Sequence, residues 1–255
     1  MFLGDSLTEG VGSKRISHVA ELAKQLGASE IRLRDRHELE GEIKSNIAGL
    51  RFWNFAREGK TIESDFEWLP LIGTLQPELV VIFRGSLESI IRPAMVSDAG
   101  WPWWVPRSWR NYSAMDPRCY FSTTWWRKAK QISVDALKQR VRLRLLQTRA
   151  GTSLMDLETL AAYQTKLIKQ LRSLATRVLV LGLLPVDENR FPGSAQHFKS
   201  VNARLKQIAE TEGVEFLDWA SQLNGDSLFY RDGFHPNQAG AVALANILRE
   251  RLCKA

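Results

Sequence analysis

The sequence predicts an α/β fold built around a mostly parallel sheet, and three observations lead there. Short β-branched runs alternate with longer stretches whose apolar residues recur at helical spacing, the pattern of βα units. The 255 residues are 44% hydrophobic and 25% charged, an ordinary globular usage that can supply one sizeable core. No run approaches the roughly 18 uncharged apolar residues that a spanning helix requires. Disordered, collagenous and disulfide-scaffold classes are excluded by the same composition.

Taken in order, Met1, Phe2 and Leu3 read as a first strand running into Gly4, short beside the five or six residues of a typical strand. Residues 17–26 carry apolar positions at helical spacing. Residues 28–49 are ambiguous, with Leu39, Ile43 and Ile47 favouring a further short helix. Strands are predicted over 50–55, 78–83, 177–184 and 214–217, and helices over 61–75, 154–175, 194–212 and 237–252. In the last helix Ala241, Ala243, Leu244, Ile247 and Leu248 make an inner face. Neither a repeat nor a low-complexity tract interrupts this order. Met1 leads straight into a glycine turn without a charged or apolar leader. A cytoplasmic location is therefore expected, with an upstream start left open.

The formal charge of +7 is unevenly distributed. Residues 91–150 hold twelve Lys/Arg and three Asp/Glu, a net +9, and the remainder of the chain is −2. The same segment holds six of the nine tryptophans: Trp101, Trp103, Trp104, Trp109, Trp125 and Trp126. Composition thus marks 91–150 as an insert within one domain spanning 1–255. Trp and Arg can pack together as a closed cap. Flat aromatic faces beside basic groups also suit an anionic carbohydrate, and the same composition suits a membrane surface. Nucleic acid is not an expected partner, since the rest of the chain is net acidic and carries no nucleic-acid fold signature. Within the insert, a helix beginning near Arg127 is expected to bury Val134, Leu137, Val141 and Leu145 while its basic run 140–146 forms a solvated face.

Chemistry concentrates at the two ends of the chain. Gly4-Asp5-Ser6-Leu7 follows the first strand, where a serine hydroxyl can stand at the carboxyl edge of a parallel sheet. A serine nucleophile needs a base, and the base an orienting carboxylate. Asp232-Gly233-Phe234-His235 can supply both, with Pro236 opening the last helix. The plainer alternatives are an N-capping Ser6, an Asx-turn at Asp5 and a capped core histidine at His235. Gly10 to Lys14 lacks phosphate-loop spacing. His18, His37 and His197 have no ligand-spaced neighbours and are expected on the surface or in packing. Cys119 and Cys253 lie far apart without a CxxC partner; free thiols are the plain expectation, and a disulfide between them stays open.

These blocks resemble the GDSL, or SGNH, hydrolase family, with residues 4–10 as its nucleophile block and residues 232–237 as its last block. Asn54 through Thr61 is similar to the family's glycine block, and Phe83 through Glu88 lies where the family has Gly-x-Asn-Asp. The resemblance implies a three-layer α/β/α sandwich with a flavodoxin-like parallel sheet, and ester or thioester hydrolysis with no metal and no cofactor. By position it implies Ser6 as nucleophile, His235 as general base and acid, and Asp232 as its orienter. The backbone N–H groups of Ser6 and Gly59 would hold the oxyanion. The family's third donor is an Asn side chain, and here Leu87 stands in its place; Ser86, Arg84, Asn54 or an insert residue is expected to substitute.

The function expected is a serine esterase removing acetyl or another short acyl group from a carbohydrate-like substrate, with Trp101, Trp103, Trp104 and Trp109 as candidate substrate contacts. The other readings are a lysophospholipase or thioesterase with a lipid-facing insert and peripheral membrane contact, a polysaccharide O-acyltransferase, and a binding protein with weakened catalysis. The acyl-ester substrate is the one partner expected, possible polysaccharide included, and the oligomeric state is left open.

Overall fold

The computed structural model describes residues 1–11, 17–32, 50–94, 101–110, 113–223 and 226–253. The expected helix around Leu39, Ile43 and Ile47 lies outside them, as do Lys14 and His37. Six strands form one parallel sheet: β1 (Phe2–Gly4), β2 (Ser29–Arg32), β3 (Arg51–Asn54), β4 (Leu79–Phe83), β7 (Arg177–Leu181) and β8 (Glu215–Leu217), in the order β2-β3-β1-β4-β7-β8. With β2 set aside, this is the flavodoxin-like order. β1 is short but central: Phe2 pairs with Asn54 on one side, and Phe2, Leu3 and Gly4 pair with Val81, Ile82 and Phe83 on the other. Burial on both sides explains its wholly apolar sequence.

β2 was not expected as a strand. Ser-Glu-Ile-Arg holds one aliphatic residue, Ile31, and among the described residues its four positions pair with β3 alone, at the sheet's edge. Only half-covered, it needs no apolar run, so periodicity gives it no signal.

The helices are α1 (Ser6–Glu9), α2 (His18–Gln25), α3 (Leu69–Leu75), α4 (Ser86–Ser89), α5 (Trp125–Thr148), α6 (Leu157–Arg172), α7 (Ser194–Glu212) and α8 (Gln238–Cys253). α2 packs on α8 and α6 on α7, and with the sheet they make the three-layer α/β/α sandwich. Ser17 caps α2 by accepting from the Ala20 N–H at 3.0 Å, and Asp156 caps α6 by accepting from Thr159 at 2.8 Å. Each such cap is worth about 1 kcal/mol. The helix expected over 61–75 is a 3-10 turn, Ile62–Trp68, followed by α3. Pro70, which lacks an N–H, sits at the start of α3 where no intrahelical donor is needed. Among the described residues no helix is long and apolar enough to cross a membrane.

At the ends of the basic segment, β5 (Arg92–Pro93) and β6 (Gly151–Thr152) form a small antiparallel ribbon. Between them α5 runs for 24 residues. Its expected stripe is only partly buried: Leu145 is covered, whereas Leu137 is half exposed. Asp135 and Arg142 are buried instead. The basic run is therefore not wholly a solvated face. Arg142 donates to the carbonyls of Arg190 and Ile91, lies 3.6 Å from Asp116, and covers the ring of Phe191. A guanidinium can be buried there because the two carbonyls take its Nη donors and the Asp116 carboxylate offsets its charge, while Nε has no hydrogen-bond partner among the described residues. Val105, Met115 and Leu145 make a satellite apolar cluster, with Trp101, Trp109 and Val141 packed against it.

Candidate active site

β1 ends at Gly4 and α1 begins two residues later, so the chain turns sharply at the carboxyl edge of the sheet. Asp5 drives that turn. It is the N-cap of α1, its buried carboxylate accepting from the Leu7 N–H at 2.9 Å. The capping alternative for Ser6 thereby falls to its neighbour, leaving the partly exposed Ser6 at the first helical position. Gly4 is needed where it is: a Cβ there would lie 2.1 Å from Thr8 Oγ1.

The C-terminal turn brings its histidine to this elbow across 229 residues. Ser6 Oγ stands 3.0 Å from His235 Nε2, and His235 Nδ1 stands 2.7 Å from Asp232 Oδ2. Asp232 is buried, and its other oxygen accepts from the N–H groups of Phe234 and His235, both at 3.1 Å. A carboxylate so occupied can only accept, so Nδ1 carries the proton and Nε2 faces the serine as an acceptor. Gly233 makes the turn with φ +65°, and a Cβ there would meet the Asp187 Cβ at 2.4 Å. Pro236, expected at the first position of the last helix, instead bridges to Phe229; α8 starts at Gln238, where Asn237 accepts from the Gly240 N–H.

The loop after β3 is laced to the elbow. Arg57 N–H donates to the Gly4 carbonyl at 3.1 Å, and Glu58 N–H to the Glu9 carboxylate at 2.6 Å. Gly59 follows, exposed and at φ +69°. From the other side Arg84 holds this loop. Its Nη1 donates to the Lys60 carbonyl at 2.7 Å, while Nε and Nη2 grip both oxygens of Asp65, all inside the protein.

Two of the expected substitutes for the missing Asn are thus committed elsewhere. Arg84 spends its donors on Asp65 and Lys60. Asn54 donates to the Thr8 carbonyl and to Glu30, and accepts from the Ala56 N–H. Ser86 is fully buried, and its hydroxyl has no partner among the described residues. Leu87 itself is half-buried, its carbonyl taking a bond from Arg92.

Beneath the elbow lies a buried charged group of Asp5, Asp65, Arg84 and Glu88. Burial raises the Asp5 carboxyl above its usual range, opposed by the nearby Arg84 charge. Burial also pushes Glu88 up to about 7, again opposed by Arg84. One Glu88 oxygen accepts from the Ile62 N–H at 2.7 Å; the other has no partner among the described residues.

The basic segment 91–150 reaches the site through Cys119. Its sulfur and one ligand atom each of Asp232 and His235 lie within 4.8 Å of one another. Burial, with the Asp232 charge adding, pushes the thiol up to about 12. Nearby, Arg231 lies over the Phe121 ring at 4.2 Å. Sequence reading missed Cys119, because nothing local to a lone cysteine 113 residues upstream announces the contact. Both cysteines are free thiols.

The four candidate tryptophans separate into two kinds. Trp101 and Trp109 pack on the satellite cluster, with Lys138 over the Trp109 ring. Trp103 and Trp104 are exposed, the former by 90%. His18, expected on the surface or in packing, is buried among Phe2, Phe83 and Trp219, and burial lowers it to about 3. A cleft of about 680 Å³ bordered by Leu183, Phe198, Asn202 and Phe216 contains none of Ser6, Asp232 and His235.

The sequence matches the GDSL-like Lipase/Acylhydrolase family over residues 2–243. Axe2, an acetylxylan esterase from Geobacillus stearothermophilus, is 17% identical with a TM-score of 0.56, over 98% of this chain and 92% of that one. TesA is 16% identical at a TM-score of 0.57, over 98% and 96%. LAE5, an alpha/beta hydrolase enzyme from the metagenome of Lake Arreo, Spain, is 16% identical at 0.54, over 97% and 91%. At these identities the likeness is one of fold. No curated protein gave a significant match.

Proposed function

From the premise that the chain belongs to the GDSL-like lipase/acylhydrolase family and is a carboxylic ester hydrolase, we propose that it removes short acyl groups, acetyl foremost, from a carbohydrate through an acyl-enzyme on Ser6. The observation that carries this reading is the relay Ser6 Oγ to His235 Nε2, and His235 Nδ1 to Asp232 Oδ2, at 3.0 and 2.7 Å. As Ser6 Oγ attacks the ester carbonyl, its proton passes to Nε2, and Asp232 stabilises the imidazolium without taking the proton. The carbonyl oxygen becomes an oxyanion held by the N–H groups of Ser6 and Gly59. Collapse of the tetrahedral intermediate breaks the bond to the sugar oxygen, which takes the proton from Nε2. Water then repeats the sequence on the acyl-enzyme, releasing the free acid and restoring Ser6.

Support for a sugar ester comes from the exposed Trp103 and Trp104 beside the exposed Arg107, a surface suited to stacking and to anionic substituents. The fold it shares with an acetylxylan esterase points the same way.

The test is labelling by a fluorophosphonate, read by intact mass on wild type and on a folded Ser6→Ala variant, followed by turnover of an acetylated xylo-oligosaccharide. Labelling mapped to Ser6 and release of acetate are expected. A folded wild-type protein that takes no label defeats the proposal. Free acid as sole product with a sugar acceptor present separates hydrolysis from acyl transfer.

A further inference from the structure

We propose that Cys119, Asp232 and His235 together form a site for a thiophilic divalent cation of the zinc type, and that its occupation disarms the general base. The proposal rests on the catalytic reading of His235 for its consequence, though not for the binding itself.

The donor set is the first argument. A thiolate, an imidazole and a carboxylate are three of the ligand types that zinc takes, and three protein ligands leave a fourth position for water. The spacing is the second. The three ligand atoms already lie within 4.8 Å of one another, whereas neighbouring ligands of a tetrahedral zinc stand roughly 3.3 to 3.8 Å apart, given bonds of about 2.0 to 2.3 Å. Closing the site therefore asks about one ångström at its widest pair, and if Nδ1 is the ligand its 2.7 Å contact with Asp232 Oδ2 opens as the cation replaces the proton between them. The Cys119 side chain sits in a stretch without helix or strand, between Met115 in the satellite cluster and the start of α5 at Trp125. That stretch is tethered on both sides of the cysteine, by the Arg118 N–H on Asp135 and by the Ser122 N–H on Gln131. Access is the third argument: Cys119 and His235 are each partly open to solvent.

The consequence follows from the two ring nitrogens. In the working arrangement Nδ1 holds the proton against Asp232, and the Nε2 lone pair receives the proton of Ser6. A cation on Nε2 occupies that lone pair. A cation on Nδ1 takes the place of the proton there, which passes through solvent to Nε2; the ring stays neutral with its one proton on Nε2, which then donates to Ser6 and no longer accepts. Either mode leaves the serine proton without an acceptor. The thiol proton also leaves to water as the sulfur–metal bond forms.

Cadmium serves as the probe, because its bond to thiolate gives an ultraviolet charge-transfer band. The full chain carrying Cys253→Ser, which removes the exposed second thiol, is expected to develop this band with one equivalent of Cd²⁺. Adding Cys119→Ser or Cys119→Ala should abolish it, and adding His235→Ala should weaken Cd²⁺ affinity by about tenfold or more. In parallel, Zn²⁺ should block fluorophosphonate labelling of the Cys253→Ser protein, EDTA should restore it, and the Cys119 variants should label at the same zinc concentration. A band that survives loss of Cys119, or an equal zinc block with and without Cys119, overturns the proposal. A metal-free protein that takes no label refutes the esterase reading instead, and the cadmium titration then decides the cation site by itself.

Discussion

Leu87 is the position where the site departs from the family it belongs to, and the surrounding residues determine what that departure means. Arg84 and Asn54 are each fully engaged in holding the loops around Ser6. Leu87→Asn is therefore expected to raise kcat, by up to the ~10²-fold or more that one oxyanion donor supplies; an unchanged kcat on p-nitrophenyl acetate would indicate a donor already in place. Asp232→Asn should leave the fold intact and lower kcat by about 10⁴-fold, because the amide holds the wrong imidazole tautomer. Two buried groups set opposing pH dependences. Glu88 titrates at about 7 in the folded protein against 4.5 when exposed. Its contribution is fully present below pH 4.5 and is lost as pH rises through about 7, an effect of about 3 kcal/mol. His18, lowered from 6.5 to about 3, contributes above pH 6.5 and loses that contribution as pH falls towards 3. Urea unfolding from pH 5 to 8 should show wild type losing stability relative to Glu88→Gln, and a constant difference across that range would refute the assignment. At this scale Ser6, Asp232 and His235 were legible because each sits in a short block whose chemistry is local. Glu88, Arg84 and Cys119 acquire their surroundings only through tertiary contact.

Among elements, the loop carrying Gly59 is braced by a buried ion pair, and the pair's two effects can be separated. Asp65→Ala removes the carboxylate hydrogen-bonded to the buried Arg84 guanidinium, which should cost about 3 to 5 kcal/mol. Replacing both with apolar residues, Asp65→Leu with Arg84→Met, should recover part of that stability, the rest being lost because Arg84 also offsets the buried Asp5 and Glu88. It cannot restore the bond from Arg84 to the Lys60 carbonyl. Denaturant midpoints should thus place the double variant above the single one while its kcat stays below wild type. A double variant with full activity would show that the brace does not position Gly59. The elements themselves were legible in proportion to their coverage. β4 and β7, buried on both faces, read as continuous apolar runs. β2 did not, because an edge strand with Ile31 as its one aliphatic residue carries no period. In α5 the spacing of Val134, Leu137, Val141 and Leu145 suggested an inner stripe, but Asp116 and two carbonyls draw Arg142 inward instead.

For the whole molecule, the excess positive charge of residues 91–150 does two jobs. Arg92 is buried in a salt bridge with Asp116, Arg142 is enclosed, and Lys138 donates to the Ala114 carbonyl, so these charges hold the insert together. Arg107, Arg118, Arg127, Lys128, Lys130, Arg140 and Arg144 are exposed. Exposed charge of one sign beside a site raises the encounter rate of oppositely charged substrates, and salt screens it over about 10 Å at 0.1 M. Through Cys119 and Phe121 this segment meets the turn that carries Asp232 and His235, so its field reaches the candidate site. If the substrate is an acetylated oligosaccharide bearing uronates, kcat/KM should fall about threefold to tenfold between 0.05 and 0.5 M salt. On neutral p-nitrophenyl acetate it should stay constant, and Lys128→Glu with Lys130→Glu should reproduce the high-salt value at low salt for the anionic substrate alone. Trp103→Ala should raise KM for the oligosaccharide and leave the small ester untouched, since a ring 90% exposed contributes stacking area and no packing. The same salt response for both substrates would detach the insert's charge from substrate capture, leaving its basic residues to the internal bonds that Arg92, Lys138 and Arg142 already make.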